Sequence, residues 1–141
     1  MVDFRFATSI HILLSLAYRA RENPEALLSS AELANSTMCN PALIRQMLVP
    51  LTDAGLIETF RGKAGGVRLA KAGDKITLRC VYLACCGSQK LMLGRKDVNR
   101  KCPVGANIHS IFASVTDDVE SEMLKNFKNR TIGQLLKKFV P

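Results

Sequence analysis

Residues 40–69, NPALIRQMLVPLTDAGLIETFRGKAGGVRL, place a helix, a stop and a basic glycine hairpin in immediate succession. Asn40 is suited to cap a helix that opens at Pro41, because proline has no N–H to leave orphaned in a first turn. Leu43, Met47 and Leu51 recur at helical spacing, Ile44 and Leu48 widen the stripe, and Gly55 stands just past its end. Leu56 to Phe60 then reads as extended, residues 61–66 as a turn, and Val67 to Leu69 as the returning strand. Upstream, Ser29-Ser30-Ala31-Glu32 offers a capping box for a short helix reaching Asn35, with a turn from Ser36 to Cys39. Helix, turn, helix and basic hairpin, in that order, make a winged helix-turn-helix. The order implies double-stranded DNA as partner.

Charge agrees with that order. The 141 residues carry a formal net charge of +8 and a pI near 9.5, which suits a polyanionic partner. Between Phe60 and Gly73 stand Arg61, Lys63, Arg68 and Lys71 with no acidic residue. On a hairpin, such a run favours a phosphate or minor-groove contact over a merely solvated face. No stretch reaches the roughly 18 apolar residues of a membrane span. At the N-terminus, Ala7, Ile10, Leu14 and Ala17, with Leu13 beside them, trace one helical face, while Thr8, Ser9, His11 and Ser15 fall mostly elsewhere. That pattern reads as a folded amphipathic helix rather than a cleaved leader, so the expected location is cytoplasmic. Five cysteines, with Cys85 and Cys86 adjacent, also argue against a secreted disulfide framework.

The remaining elements follow from their punctuation. A first helix runs from Phe4 to Arg21 and ends at Glu22-Asn23-Pro24. Gly73-Asp74 turns the chain into a buried helix from Thr77 to Cys86, which Gly87 stops. Leu91 to Arg100 is a basic loop and the natural place for mobility. Pro103 opens a helix of about 24 residues, roughly 36 Å long. Along it Ile108, Ile111, Phe112, Val115, Val119, Met123 and Phe127 form a stripe, with Thr116, Asp117, Glu120, Glu122 and Lys125 largely off it. So long a stripe calls for a partner surface, which favours pairing in a homodimer. A last short helix starts at Thr131 and carries Ile132, Leu135, Leu136 and Phe139. The expected fold is mainly α with a small β-hairpin wing: residues 1–75 form the DNA-binding region, and residues 76–141 add the buried helix, loop, long dimerisation helix and C-terminal helix to the same compact unit.

These residues resemble the Rrf-two family of bacterial winged-helix transcription regulators, which includes IscR-, NsrR- and CymR-like proteins. The resemblance rests on Ala7, Ile10 and Leu14 in the opening helix, on Ser30-Ala31-Glu32-Leu33-Ala34, and on residues 48–57, LVPLTDAGLI. Its most specific element is the wing, residues 61–69, followed by Ile76-Thr77-Leu78. Cys102-Pro103-Val104-Gly105 looks like the YwnA-like subset. The resemblance implies a regulator, here expected to be a repressor, that binds a palindromic operator as a homodimer built on the long helix through Ile108, Ile111, Phe112, Val115, Val119 and Met123.

A recognition helix reads bases with its first turns, so Asn40, Ala42, Arg45 and Gln46 are the candidate base readers, while Leu43, Met47 and Leu51 are assigned to the core. In the wing, Gly62, Gly65 and Gly66 allow a tight turn close to a groove, and Arg61, Lys63 and Arg68 supply charge. Arg5 and Ser30 are further candidates for phosphate contact.

The iron–sulfur branch of the family has three closely spaced cysteines in the loop before the long helix, where this chain has only Cys102. Cys80, Cys85 and Cys86 match no metal spacing and read as core filling. No cofactor and no metal are expected, an iron–sulfur-dependent regulator being the alternative. Cys102 stands before Pro103 with Arg100 and Lys101 alongside, a setting that favours thiolate, which makes it a candidate redox sensor. His11 and His109 belong to no triad or metal signature, so no enzyme activity is expected. A different alternative is a winged helix that binds a metabolic enzyme instead of DNA.

Overall fold

The helix α1 (Arg5–Glu22) is the element on which the others converge. In the computed structural model, which describes residues 3–87 and 89–140, it touches α2 (Ser30–Thr37), α3 (Pro41–Asp53), β2 (Gly66–Leu69), α4 (Leu78–Cys86) and α6 (Ile132–Phe139). The strand β1 (Ile57–Phe60) completes the hairpin, and α5 (Pro103–Lys128) extends from the other side. The outer ends of the two expected regions, residues 1 and 141, lie outside the described residues. Ile12, Leu13, Leu33, Ile44, Leu51, Leu56, Ile76 and Ile132 are the large, fully buried members of one core that runs from the helix-turn-helix to α6. Each such side chain contributes about 1.5–3 kcal/mol by leaving water.

Enclosure on several sides changes the buried face of α1. Ser9, Ile12, Leu13, Leu16 and Ala17 are buried, whereas Ala7 is exposed and Ile10 and Leu14 are half-buried. The face read from Ala7, Ile10 and Leu14 is therefore rotated from the true one. A helix packed by α4, α6 and β2 together buries a wider arc than a single stripe, and that arc takes in Ser9.

The helix-turn-helix forms as its caps dictate. Ser29 Oγ accepts the Glu32 N–H at 3.1 Å, and the Glu32 carboxylate accepts the Ser29 N–H at 2.8 Å. α2 continues to Thr37, two residues beyond Asn35, and stops at Met38, whose φ of 57° is left-handed. Asn40 Oδ1 accepts the Ala42 N–H at 2.8 Å to start α3. That helix ends in a Schellman motif: the N–H groups of Gly55 and Leu56 reach the carbonyls of Thr52 at 2.9 Å and Leu51 at 3.0 Å. Ile44, Met47, Leu48 and Leu51 face the core, but Leu43 is exposed. Its assignment to the core is corrected: at one residue before Ile44 it falls at the edge of the buried stripe, on the solvent side.

β1 and β2 pair antiparallel, with Ile57 opposite Leu69 and Phe60 opposite Gly66. A third segment joins them, because Leu28 and Val67 exchange both backbone hydrogen bonds, at 3.0 and 2.9 Å. One bridging residue is too short to carry a strand signal in sequence. At the other end, Thr77 caps α4 and Thr131 forms a capping box with Gln134 for α6. The two starts are tied together by Leu78 N–H to the Arg130 carbonyl at 2.8 Å and Ile132 N–H to the Ile76 carbonyl at 2.9 Å.

Along α5 the long apolar stripe divides in two. Ile108, Phe112, Met123 and Phe127 are half-buried against their own chain, while Val104, Ile111, Val115 and Val119 form an exposed ridge. Thr116, expected off the stripe, is the one buried residue of this helix among those described. The cause is residues 90–98, which lie along the helix instead of hanging free. Lys90 pairs with Asp117 at 3.0 Å, the Leu91 N–H reaches the Glu120 carboxylate at 2.6 Å, and Gly94 sits against the Phe112 ring. Among the described residues, no helix is long and apolar enough to cross a membrane.

Candidate nucleic-acid interface

The outward face of α3 is continuous. Asn40, Ala42, Arg45 and Gln46 are all exposed, as expected, and Leu43 and Val49 share that surface. Asn40 spends its Oδ1 on the cap, which leaves its amide N–H groups for a base edge. Arg45 and Gln46 stand on the first two turns, the part of such a helix that meets base edges in a major groove. Leu43 reads as core because it stands at helical spacing with Met47 and Leu51; an exposed apolar group there suits the thymine methyl. Met38, 89% exposed in the turn, projects from the same region.

The wing is shaped by close approach. A Cβ on Gly65 would collide with the Phe60 carbonyl, and one on Gly66 would come within 2.6 Å of the Leu28 carbonyl. Only glycine lets the returning strand pass there. The Gly65 N–H closes the turn on the Gly62 carbonyl at 3.0 Å. Arg61, Gly62 and Lys63 at the tip are exposed, and Gly65 and Gly66 at its base are half-buried. The hydroxyls of Thr52, on α3, and Thr59, on β1, lie 3.1 Å apart and tie the wing to α3.

Three residues expected at the interface are placed differently. Arg68 is half-buried and held against its own chain, its guanidinium paired with Glu25 and with Glu58 at 3.1 Å and lying 4.8 Å over the Phe60 ring. Glu58, then Glu25, raises its already high pKa. Arg5 is paired with Asp3 at 2.6 Å and bonded to Gln89, beside the end of α4. The same pair holds the Asp3 carboxyl at about 2, chiefly through the side-chain hydrogen bond from Arg5. Ser30 occupies the first position of α2 and is half-buried; Ser29 is the residue that caps it.

Cys102 is the exposed N-cap residue of α5. Its sulfur makes no side-chain cap of full geometry, yet the backbone N–H groups of Gly105 and then Val104 lower its thiol pKa. His11 Nε2 lies 3.0 Å from Ser36 Oγ and links α1 to α2, and His109 is exposed on α5. Among the described residues neither belongs to a group of three or more metal-ligating side chains.

Comparison with known proteins identifies the arrangement. The family model described as Rrf2, iron-dependent transcriptional regulator, matches residues 3–138. The chain is 26% identical over 136 residues to YwnA of Bacillus subtilis, named as an HTH-type transcriptional regulator, covering 96% of this chain and 97% of that protein. Among solved structures, T. potens IscR superposes with a TM-score of 0.71 at 20% identity, covering 98% of this chain and 87% of that one. CymR, the global cysteine regulator of B. subtilis, does so at 0.66 and 19%, covering 98% and 97%. These two likenesses concern the fold.

The family description names iron, but the donors here do not fit an iron centre. Among the described residues no three His, Cys, Asp or Glu side chains converge on a point where a metal ion could be held. Cys102 is exposed at the start of α5, while Cys85 is buried on α4 and Cys39 lies in the helix-turn-helix. The whole-length match, the helix-turn-helix and the glycine wing place this chain in the Rrf2 family of winged-helix transcriptional regulators, a family of DNA-binding proteins and not of enzymes.

Proposed function

We propose that two copies of this chain bind a palindromic operator, each presenting α3 to a major groove and its wing to the adjacent backbone or minor groove. The observation that carries this reading is the shared exposure of Arg45 and Gln46 on α3 with Arg61 and Lys63 on a wing tied to it through Thr52 and Thr59. The ridge of Val104, Ile111, Val115 and Val119 supports the dimer, because a helix that leaves four apolar residues in water gains by covering them. Ile108, Phe112 and Met123 support it less directly, by packing loop and core against the back of that helix.

Cys102 is proposed as a redox-responsive thiol of the same regulator. It is exposed, its pKa is lowered by backbone N–H groups, and it stands at the root of the dimer helix. Sedimentation of the purified protein, combined with selection of bound genomic fragments with and without peroxide, tests the reading. Recovery of two-fold symmetric sites by a dimer supports it. A monomer, or fragments without a shared motif, overturns it.

A further inference from the structure

α4 ends in two adjacent thiols that DNA reading does not use. Cys85 and Cys86 hold their Sγ atoms 3.5 Å apart. Successive helical residues point about 100° apart, so their side chains do not converge by default. Cys85 is buried. Cys86 is half-buried and lines a cleft of about 820 Å³ where α1, α4 and α5 meet. Phe6, Tyr82 and Phe127 wall that cleft, their ring centroids 5.2 to 6.1 Å apart. Ser9 Oγ, fully buried, is a neighbour of the Cys85 thiol.

The separation suits one atom bridging both sulfurs. Two sulfurs on one shared atom at about 2.3 Å stand roughly 3.8 Å apart if that atom is tetrahedral and roughly 3.4 Å if it is pyramidal with angles of about 95°. A disulfide needs about 2.05 Å, which would unwind the last turn of the helix. A zinc-like ion needs two thiolates and further donors. Burial, followed by the contact with Cys86, pushes the Cys85 thiol up to about 12, and no third His, Cys, Asp or Glu joins the pair among the described residues. A neutral adduct with two covalent sulfur bonds avoids both obstacles.

We propose that Cys85 and Cys86 form a chelating site for monosubstituted trivalent arsenicals, whose organic group lies along the aromatic cleft. For an arsine oxide, the two thiols give their protons to the oxygen, two As–S bonds replace the As–O double bond, and water leaves. Arsenic stays trivalent, so no oxidant or reductant takes part. Phe6, Tyr82 and Phe127 offer ring faces and edges to an aryl substituent.

The test uses phenylarsine oxide on the reduced full chain, followed by intact mass. One arsenical per chain is expected, released by a 1,2-dithiol but not by the same concentration of a monothiol. Cys86→Ser or Cys85→Ser should weaken uptake about 10²–10⁴-fold, the advantage that linking two bonds confers. Cys80→Ser, Cys39→Ser and Cys102→Ser should each retain it. Uptake unchanged in Cys86→Ser, or lost in Cys102→Ser, overturns the proposal. Should the Cys85 and Cys86 variants fail to fold by circular dichroism, the parent decides alone: an adduct outside residues 80–90, or release by monothiol, refutes the site.

Discussion

Arg68 and Glu58 face each other across the hairpin, Nε to Oε2 at 3.1 Å, in directly opposed positions of the β ladder. With Glu25 on the same guanidinium and Phe60 beneath it, Arg68 clamps the wing to the segment before α2. It acts as a structural cation in the middle of the proposed DNA-facing wing. Arg68→Ala is therefore expected to loosen the wing and lower the melting temperature while leaving the salt dependence of DNA binding nearly unchanged. The double change Glu25→Gln with Glu58→Gln should do the opposite for DNA, since it frees the cation and removes two negative charges near the proposed phosphate path. Binding should tighten, and log K against log salt should steepen by about 0.9. An Arg68→Ala protein as stable as the parent but with a flattened salt slope would return Arg68 to the phosphate-contact set.

In the proposed complex, Arg45 and Lys63 divide recognition between them. Arg45 is exposed on the second turn of α3, where a bidentate pair with guanine is geometrically available, and Lys63 is at the tip of the wing. Arg45→Ala should cost about 1–3 kcal/mol on the operator and little on unrelated duplex. Lys63→Ala should weaken both alike and reduce the salt slope by about 1. Anisotropy titrations at several salt concentrations measure these quantities. If both variants bind operator like the parent, the DNA face has been placed on the wrong surface.

The turn of the helix-turn-helix holds a strained residue. Met38 adopts φ 57°, ψ 33° with its side chain 89% exposed, so no packing offsets the left-handed backbone. Such a conformation costs a non-glycine residue roughly 1–2 kcal/mol. Met38→Gly should raise stability by about 0.5–1 kcal/mol, the gain being reduced by the greater freedom of glycine in the unfolded chain. A lowered melting temperature would show that the Met38 side chain makes a contact worth more than the strain.

What was legible in the sequence and what was not divides along local and non-local physics. Caps, stops and turn residues act within four positions, and Ser29, Asn40, Thr77, Thr131, Gly55 and Gly87 place the helix ends to within two residues. The glycine wing was legible for the same reason. The buried side of α1 was not, because it depends on which elements pack around it. The intervening α5 residue Thr116 is buried by a loop laid alongside, which periodicity does not encode. Leu43 reads as core until its place at the edge of the stripe is known, and the two carboxylates within reach of Arg68, Glu25 and Glu58, come together only in the fold. The pairing of Cys85 with Cys86 needed coordinates, since neighbours on a helix point apart.

The buried thiol carries a pH dependence of defined sign. Desolvation, then the Cys86 contact, moves Cys85 from its ordinary value of 9.0 to about 12 in the folded protein. Below pH 9 the thiol is protonated in both states and the native packing keeps its full stability. Between 9 and 12 the unfolded chain releases this proton while the fold retains it, so stability falls as pH rises. Cys85→Ala has no thiol to ionise. The stability gap between parent and Cys85→Ala should therefore narrow from about pH 8 to about pH 10.5 in urea titrations under reductant. Tyr82, also raised chiefly by burial, is present in both proteins, so that part of its shift is common to them and only the smaller part due to the Cys85 charge enters the difference. A gap that stays constant over that range would mean Cys85 ionises in the fold as freely as in the unfolded chain, and the preference of the pair for a neutral adduct would lose its physical basis.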